Sequence, residues 1–179
     1  EFCYDCRKQT FHYEQGRSLW LHQEPISNSI YAFKYKNRQV YGEVYGREMA
    51  RRFEKLIRFW EIDVIIPVPI HKKKRRKRGF NQAELIAKEV GNILNIPVNC
   101  TSVVRMKETT PQKELGSRSR KRNLKRAFRV TDCRLKGKRV LLIDDIYTTG
   151  STIDSIAEIL GKTGCEKIYF LTISIGQGF

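Results

Sequence analysis

The sequence predicts an α/β protein with a doubly wound, mostly parallel sheet. Strand-like apolar runs alternate with segments of helical periodicity from residue 42 onward, which is the order of βαβ units. Residues 140–143 are all apolar, as expected of a strand buried on both faces. Two carboxylates and a run of small hydroxyl residues follow at once, where open parallel sheets bind their ligands.

Length and composition set the frame for this prediction. The chain has 179 residues and is 40% hydrophobic, which suits one domain with a small appendage. No apolar run reaches membrane-spanning length, so we expect no membrane insertion. The cysteines form no even framework, which favours a reducing, cytoplasmic location; they are Cys3, Cys6, Cys100, Cys133 and Cys165.

Charge is the second strong signal. Lys and Arg number 35 against 19 acids, a net charge of +16, and this excess indicates anionic partners such as nucleic acid or polyphosphate. The basic residues do not form one face of an amphipathic helix, which argues against a membrane surface. Residues 72–78 are all basic, and a second cluster of seven lies between Arg118 and Arg129.

In the amino-terminal half, residues 10–13 and 18–22 predict a hairpin around a turn at 14–16. Helical spacing of apolar residues predicts a helix over 42–60, and residues 63–66 form a short strand. The basic run at 72–78 is expected to be a loop that would neutralise a pyrophosphate; the alternative is a merely solvated loop, as in most charge runs. Asn81 with Glu84 resembles a capping box that begins the next helix, which is followed by a β-prone stretch at 98–104.

In the carboxyl-terminal half, residues 107–127 are polar and basic without an apolar face, which predicts a long mobile loop that is either functional or disordered. Residues 138–143 predict a strand. A helix should follow from Ile153 and close near Gly161 or Gly164, and residues 167–174 predict the last strand.

The run at 140–152 predicts a site for a ribose 5-phosphate. Adjacent carboxylates can accept hydrogen bonds from vicinal hydroxyls, and an unhindered loop at a helix amino terminus suits a phosphate. The alternative is a buried strand followed by an acidic turn, which would leave two neighbouring carboxylates without a partner. The predicted ligand residues are Asp144, Asp145, Thr148, Thr149, Gly150, Ser151 and Thr152.

The same run resembles the phosphoribosyl-pyrophosphate (PRPP) motif of type I phosphoribosyltransferases. Three further stretches make the resemblance more specific and point to the ComF (ComFC) competence-protein family: residues 67–82, residues 112–128, and the aromatic-Lys-Tyr stretch at 31–36. The resemblance covers nearly the whole chain. Gly116 departs from it, since a Ser is expected there.

The resemblance implies roles for several segments. Pro67, Val68, Pro69 and Arg78 would belong to the pyrophosphate loop, and residues 107–127 to a loop that closes over PRPP and Mg²⁺. Residues 11–179 would form the phosphoribosyltransferase-like domain. Residues 1–10 would be the carboxyl-terminal remnant of a zinc ribbon, in which Cys3 and Cys6 supply two of the four ligands that Zn²⁺ needs.

The resemblance also implies a role in natural transformation, with single-stranded DNA and a competence DNA translocase or helicase as partners. The basic residues expected to bind nucleic acid are Lys72, Lys73, Lys74, Arg75, Arg76, Lys77, Arg118, Arg120, Lys121 and Arg122. Aromatic residues at 31, 33, 35, 41 and 45 could stack on unpaired bases, although their spacing indicates that several are core residues.

The alternative is an active phosphoribosyltransferase that transfers ribose 5-phosphate from PRPP to a nitrogen acceptor. Nothing in the sequence specifies an acceptor pocket or a base. No catalytic residue is therefore assigned.

Overall fold

A four-stranded parallel sheet forms the centre of the structure. The structure is a computed structural model, and it describes residues 10–106 and 127–176. The strands of the sheet are β1 (Gln15–Leu21), β2 (Val64–Pro67), β5 (Arg139–Tyr147) and β6 (Lys167–Ile175), in the spatial order β1-β6-β5-β2. A separate antiparallel pair consists of β3 (Val103–Arg105) and β4 (Phe128–Val130). The helices are α1 (Ile26–Tyr35), α2 (Val40–Phe59), α3 (Lys72–Arg78), α4 (Gln82–Leu94) and α5 (Ser151–Lys162). All three pairings in the main sheet are parallel, as predicted.

Each face of the sheet has its own core. Leu141 and Ile143 of β5 pack with α1, α2 and α4 on one face. Val140 and Leu142 pack with α5 and the β3–β4 pair on the other. Because successive side chains of a strand point to opposite faces, one apolar run supplies both cores.

The predicted hairpin near the amino terminus is wrong. Residues 15–21 form a single strand, β1, which pairs in parallel with β6 at the edge of the sheet. Gly16 lies inside this strand and pairs with Phe170. A Cβ at position 16 would overlap the Phe170 ring, so this glycine serves close packing instead of a turn.

The sequence did not predict helix α1, because this stretch is rich in β-prone aromatic residues. Ile30 and Phe33 are fully buried against the first core. A ten-residue helix is marginal by itself, so tertiary burial of this face stabilises it against the local preference.

The basic run is a helix and not the expected loop. His71 caps α3 through its Nδ1, which accepts a hydrogen bond from Lys73 N at 3.3 Å, and Gly79 ends it in the left-handed conformation. Arg75 Nη1 contacts Glu84 Oε2 at 2.9 Å, which ties α3 to α4. No residue of α3 is buried, so its caps and the polar contacts of Arg75 and Arg78 hold it in place.

The remaining predicted elements are largely confirmed. Helices α2, α4 and α5 and strands β2 and β6 begin and end close to the expected residues. Strand β5 continues to Tyr147, beyond its predicted end at residue 143. The capping-box bonds are absent, because Asn81 donates instead to Val68 O and Glu84 pairs with Arg75 and Lys88. Only residues 103–105 of the predicted β-prone stretch form a strand, and residues 107–126 of the predicted long loop lie outside the described residues.

None of the helices in the described part of the chain has the length and apolar character needed to cross a bilayer.

Candidate functional site

Asp144 and Asp145 lie near the carboxyl end of β5 and belong to opposite faces of the sheet. Asp144 continues the row of Val140 and Leu142, and Asp145 continues that of Leu141. The backbone amide of Asp145 donates to Asp144 Oδ1 at 2.8 Å, which fixes the orientation of the first carboxylate. The two acids thus meet different neighbours although they are adjacent in sequence.

Asp145 has a cationic partner on α1. Lys34 Nζ lies 2.9 Å from Asp145 Oδ2, and the two side chains are only 18% and 16% exposed. An ion pair this shielded is costly to break from one side, because the remaining charge would stay partly buried. Lys34 falls within the stretch at 31–36 that carried part of the family resemblance, but the sequence alone assigned it no role at the site.

Asp144 carries the strongest electrostatic perturbation of the site. Burial and the neighbouring Asp145 carboxylate raise the pKa of Asp144 to about 7, while Lys34 and Arg105 oppose this shift. Arg105 comes from β3 and places its guanidinium 5.2 Å from the centre of the Phe128 ring. A ligand that offers a hydroxyl or a cation would favour the ionised form of Asp144.

Residues 148–152 form a loop that leads directly into α5. Gly150 has φ +71°, and a Cβ there would overlap the hydroxyl of Tyr147. Thr149 Oγ1 and Ser151 Oγ lie 2.8 Å apart. The first helical hydrogen bond runs from Asp154 N to Gly150 O at 2.8 Å, so the amides before it have no helical acceptor. This is the arrangement predicted for a phosphate-binding loop.

Aromatic contacts hold Tyr147, the residue that precedes the loop at 148–152. Tyr147 stacks on Phe170 with ring centres 4.9 Å apart, and its hydroxyl lies 2.8 Å from that of Tyr13. Tyr13 also meets the edge of Phe170 at 4.9 Å. The segment before β1 therefore contributes to the site.

The end of β2 lies beside the acids. Pro67 pairs with Ile143, and Val68 N donates to Ile143 O at 2.8 Å. Val68 O accepts a hydrogen bond from the buried Asn81 side chain at 3.0 Å. Pro67, Val68 and Pro69 thus reach the predicted edge of the sheet. Arg78, at the end of α3, donates to Gln82 Oε1.

Helix α3 displays its cations to solvent. The side chains of residues 72–77 are exposed, and Arg75 is engaged by Glu84. Within the part of the chain that the structure describes, Lys72, Lys74, Arg76 and Lys77 have no acidic partner. Among the described residues, these four side chains form an exposed cationic surface on the helix that follows β2 in the chain.

Several predicted residues lie outside the described part of the chain: Arg118, Arg120, Lys121, Arg122, Cys3 and Cys6. In residues 10–106 and 127–176, no three His, Cys, Asp or Glu side chains cluster as metal ligands would. Sequence reasoning missed Lys34 and Arg105. No local pattern marks Arg105, because only the fold brings β3 toward β5.

Residues 45–174 match the family model described as "Phosphoribosyl transferase domain". Along 173 residues the chain is also 32% identical to competence protein F of Haemophilus influenzae, covering 94% of this chain and 76% of that protein.

The chain belongs to the competence protein F (ComF) family, with a phosphoribosyltransferase domain.

Two further relatives agree with this placement. The "DNA utilization protein YhgH" of Escherichia coli K12 is 31% identical across 80% of this chain and 64% of that protein. Competence protein ComFC of Bacillus subtilis is 24% identical across 90% of this chain and 67% of its own length. The chain thus spans about two-thirds to three-quarters of these ComF-family relatives.

Proposed function

We propose that this chain binds single-stranded DNA during DNA uptake and carries a phosphoribosyl site for PRPP or a similar ribose 5-phosphate compound. The observation that carries the proposal is the contact of the basic helix α3 with the helix that reaches the site: Arg78 lies over the Tyr35 ring, and the preceding residue, Lys34, contacts Asp145. Four cations of α3 have no acidic partner in the described part of the chain, which exceeds what one diphosphate requires, whereas a DNA strand presents a row of phosphates. The names of the competence and DNA utilization relatives support this role.

The side chains of the site fit PRPP together with Mg²⁺. Carboxylate oxygens are the donors that Mg²⁺ prefers, and Asp144 and Asp145 offer them next to an open phosphate-type loop. Magnesium would offset the charge of the diphosphate. Asp144 and Asp145 would orient the ribose hydroxyls, residues 148–152 would hold the 5-phosphate, and the end of β2 would approach the diphosphate.

Further parts of the proposal concern location and partners. We expect the protein to act in the cytoplasm beside a competence DNA translocase or helicase. Cys3 and Cys6 would join two further ligands in a zinc site.

An active phosphoribosyltransferase is the second candidate. The reaction would displace diphosphate from the anomeric carbon by a nitrogen nucleophile, and the two adjacent acids with the loop that follows them favour this chemistry. Arg78 and the cations of α3 would stabilise the departing diphosphate. Because nothing in the described residues identifies an acceptor, DNA binding remains the first proposal.

The phosphoribosyl site is tested by thermal unfolding with PRPP and Mg²⁺. We expect the ligand to raise the melting temperature, and the double variant Asp144→Asn with Asp145→Asn to abolish the rise. The control is Glu43→Gln, which neutralises an exposed carboxylate on α2. An unchanged melting curve of the native protein would refute the site.

The DNA role is tested by the salt dependence of oligonucleotide binding. Each neutralised phosphate contributes about −0.7 to the slope of log K against log salt for single strands. Replacing Lys72, Lys74, Arg76 and Lys77 by Gln should weaken binding and flatten this slope by up to about 3. A second variant with Gln at four exposed cations elsewhere, at positions 52, 55, 136 and 167, matches the charge change. Equal effects in the two variants would contradict a role for α3.

A third experiment asks whether the phosphoribosyl site serves DNA uptake. It measures transformation frequency and DNA binding in the double variant at Asp144 and Asp145. Loss of transformation with intact DNA binding would show that the phosphoribosyl site serves DNA uptake in another step.

A further inference from the structure

Helix α1 exposes two tyrosines on the face opposite its core contacts. Tyr31 is 58% exposed and Tyr35 is 65% exposed, whereas Phe33 between them is fully buried. Their ring centres are 4.9 Å apart with planes inclined at 45°. Of the five aromatic residues considered from the sequence, Phe33 and Tyr45 are buried and Tyr41 is half-buried, which leaves this pair as an open aromatic surface.

An arginine joins this pair to the basic helix. The guanidinium carbon of Arg78 lies 5.4 Å from the centre of the Tyr35 ring. Arg78 is the last residue of α3 and donates to Gln82 Oε1. Gln82 is buried, and this contact restrains the guanidinium beside the tyrosine. Aromatic and cationic surfaces therefore form one continuous patch.

The same turn of α1 also reaches the carboxylates. Lys34 precedes Tyr35 and contacts Asp145 at 2.9 Å. The exposed tyrosines thus belong to a helix that the Lys34–Asp145 ion pair fixes beside the proposed phosphoribosyl site.

We propose that Tyr31, Tyr35 and Arg78 form a stacking surface for unpaired bases of a single strand whose phosphates lie along α3. The proposal rests on the DNA-binding role and names how bases are recognised within it. Every base has a π-face, so stacking on tyrosine tolerates any sequence, and arginine adds a cation–π contact. Double-stranded DNA hides these faces, so the surface selects single strands.

The charge of this patch favours a nucleic acid as its binding partner over a second copy of the chain. Lys72, Lys74, Arg76 and Lys77 have no acidic partner among the described residues, and the chain carries a net charge of +16. Two copies meeting at this patch would bring the basic helices together, whereas a polyanion would neutralise them.

The test compares two fluorescent oligonucleotides of equal length, one of thymidines and one of abasic deoxyribose phosphates. Both offer the same phosphates, but only the first offers base faces. By fluorescence anisotropy we expect the native protein to bind the thymidine strand about tenfold more tightly. The double variant Tyr31→Ala with Tyr35→Ala should lose this preference and keep its affinity for the abasic strand.

Two controls accompany the variant. Phe59→Ala removes an 81% exposed aromatic ring from α2 and should leave the preference unchanged. Tyr31→Phe with Tyr35→Phe keeps the rings and should retain the preference, so a loss confined to the alanine variant reports stacking instead of misfolding.

The outcomes distinguish the DNA-binding role from base stacking on Tyr31 and Tyr35. Failure of the native protein to bind either strand would overturn the DNA role and the stacking surface with it. Equal affinity for both strands, or a preference that survives in the alanine variant, would overturn stacking alone. A dimer that the alanine variant converts to a monomer, with the base preference unchanged, would assign the patch to a second copy.

Discussion

Asp144 and Asp145 show how one peptide bond can separate two electrostatic environments. Asp145 turns to the layer of α1 and is paired with Lys34 at 2.9 Å. Asp144 turns to the opposite layer, where burial and its neighbour raise its pKa although Lys34 and Arg105 oppose the shift. The site therefore combines one carboxylate that is paired with a cation and one whose ionised form is disfavoured.

Asp144→Asn should stabilise the ligand-free protein at pH 8. A carboxyl group whose pKa is about 7 when folded and about 4 when unfolded destabilises the folded state above pH 7, and this penalty fades as the pH falls toward 4. We expect the variant to unfold with a free energy higher by about 1–4 kcal/mol at pH 8. The difference should shrink at pH 5, as measured by urea unfolding at both pH values.

Asp145→Asn is the matched control. It leaves Lys34 partly buried without its partner, so it should destabilise the protein at pH 8. A loss of stability in both variants would contradict the assignment of the raised pKa to Asp144.

The carboxylates themselves were predictable from residues 140–152, because an apolar run followed by acids and small hydroxyl residues is a local pattern. Their partners were not. Lys34 and Arg105 reach the site through the packing of α1 and through β3, and both contacts depend on tertiary structure that no local spacing encodes. The perturbed pKa of Asp144 was equally hidden from the sequence.

At the scale of elements, α3 is a helix made of like charges. Seven consecutive basic residues repel one another at i, i+3 and i, i+4, yet they form a helix between His71 and Gly79. The sequence predicted a basic loop here, because a Pro-rich turn precedes the run and most charge runs are solvated. Caps at both ends and the contact of Arg75 with Glu84 outweigh the repulsion.

Neutralising α3 should raise stability while it lowers DNA affinity. Replacing Lys72, Lys74, Arg76 and Lys77 by Gln removes six of the seven like-charge pairs that α3 has at i, i+3 and i, i+4, with a gain of about 1–3 kcal/mol at low salt. Added salt screens the repulsion in the native protein, so the difference should narrow. Thermal unfolding in about 50 mM and about 500 mM NaCl, where screening is weak and strong, measures this change. A variant that melts below the native protein at low salt would show that these cations support the fold.

At the scale of the whole molecule, a parallel sheet divides two cores. The doubly wound arrangement was predictable because strands and helices alternate along the chain with clear periods. The exception is β1, where Gly16 and the preceding residues have the composition of a turn. Only the approach of the Phe170 ring explains that glycine.

Leu141→Ala and Leu142→Ala should be similarly destabilising, although the two residues are adjacent. Each is fully buried, one in each core, and each truncation should cost about 2–5 kcal/mol of unfolding free energy. Leu21→Ala, at a side chain 46% exposed, should cost far less. Urea unfolding of the three variants measures this. A small effect at either buried position would mean that one face of the sheet is not covered.

The pairing of Lys34 with Asp145 also bears on where the functional unit begins. The family match starts at residue 45, so a fragment cut to residues 45–174 would keep both carboxylates and the phosphate-type loop. It would lose the cation that stabilises Asp145 and the tyrosine that meets the hydroxyl of Tyr147. Such a fragment would retain every residue of the PRPP motif and lack two side chains, Lys34 and Tyr13, that hold its ends in place.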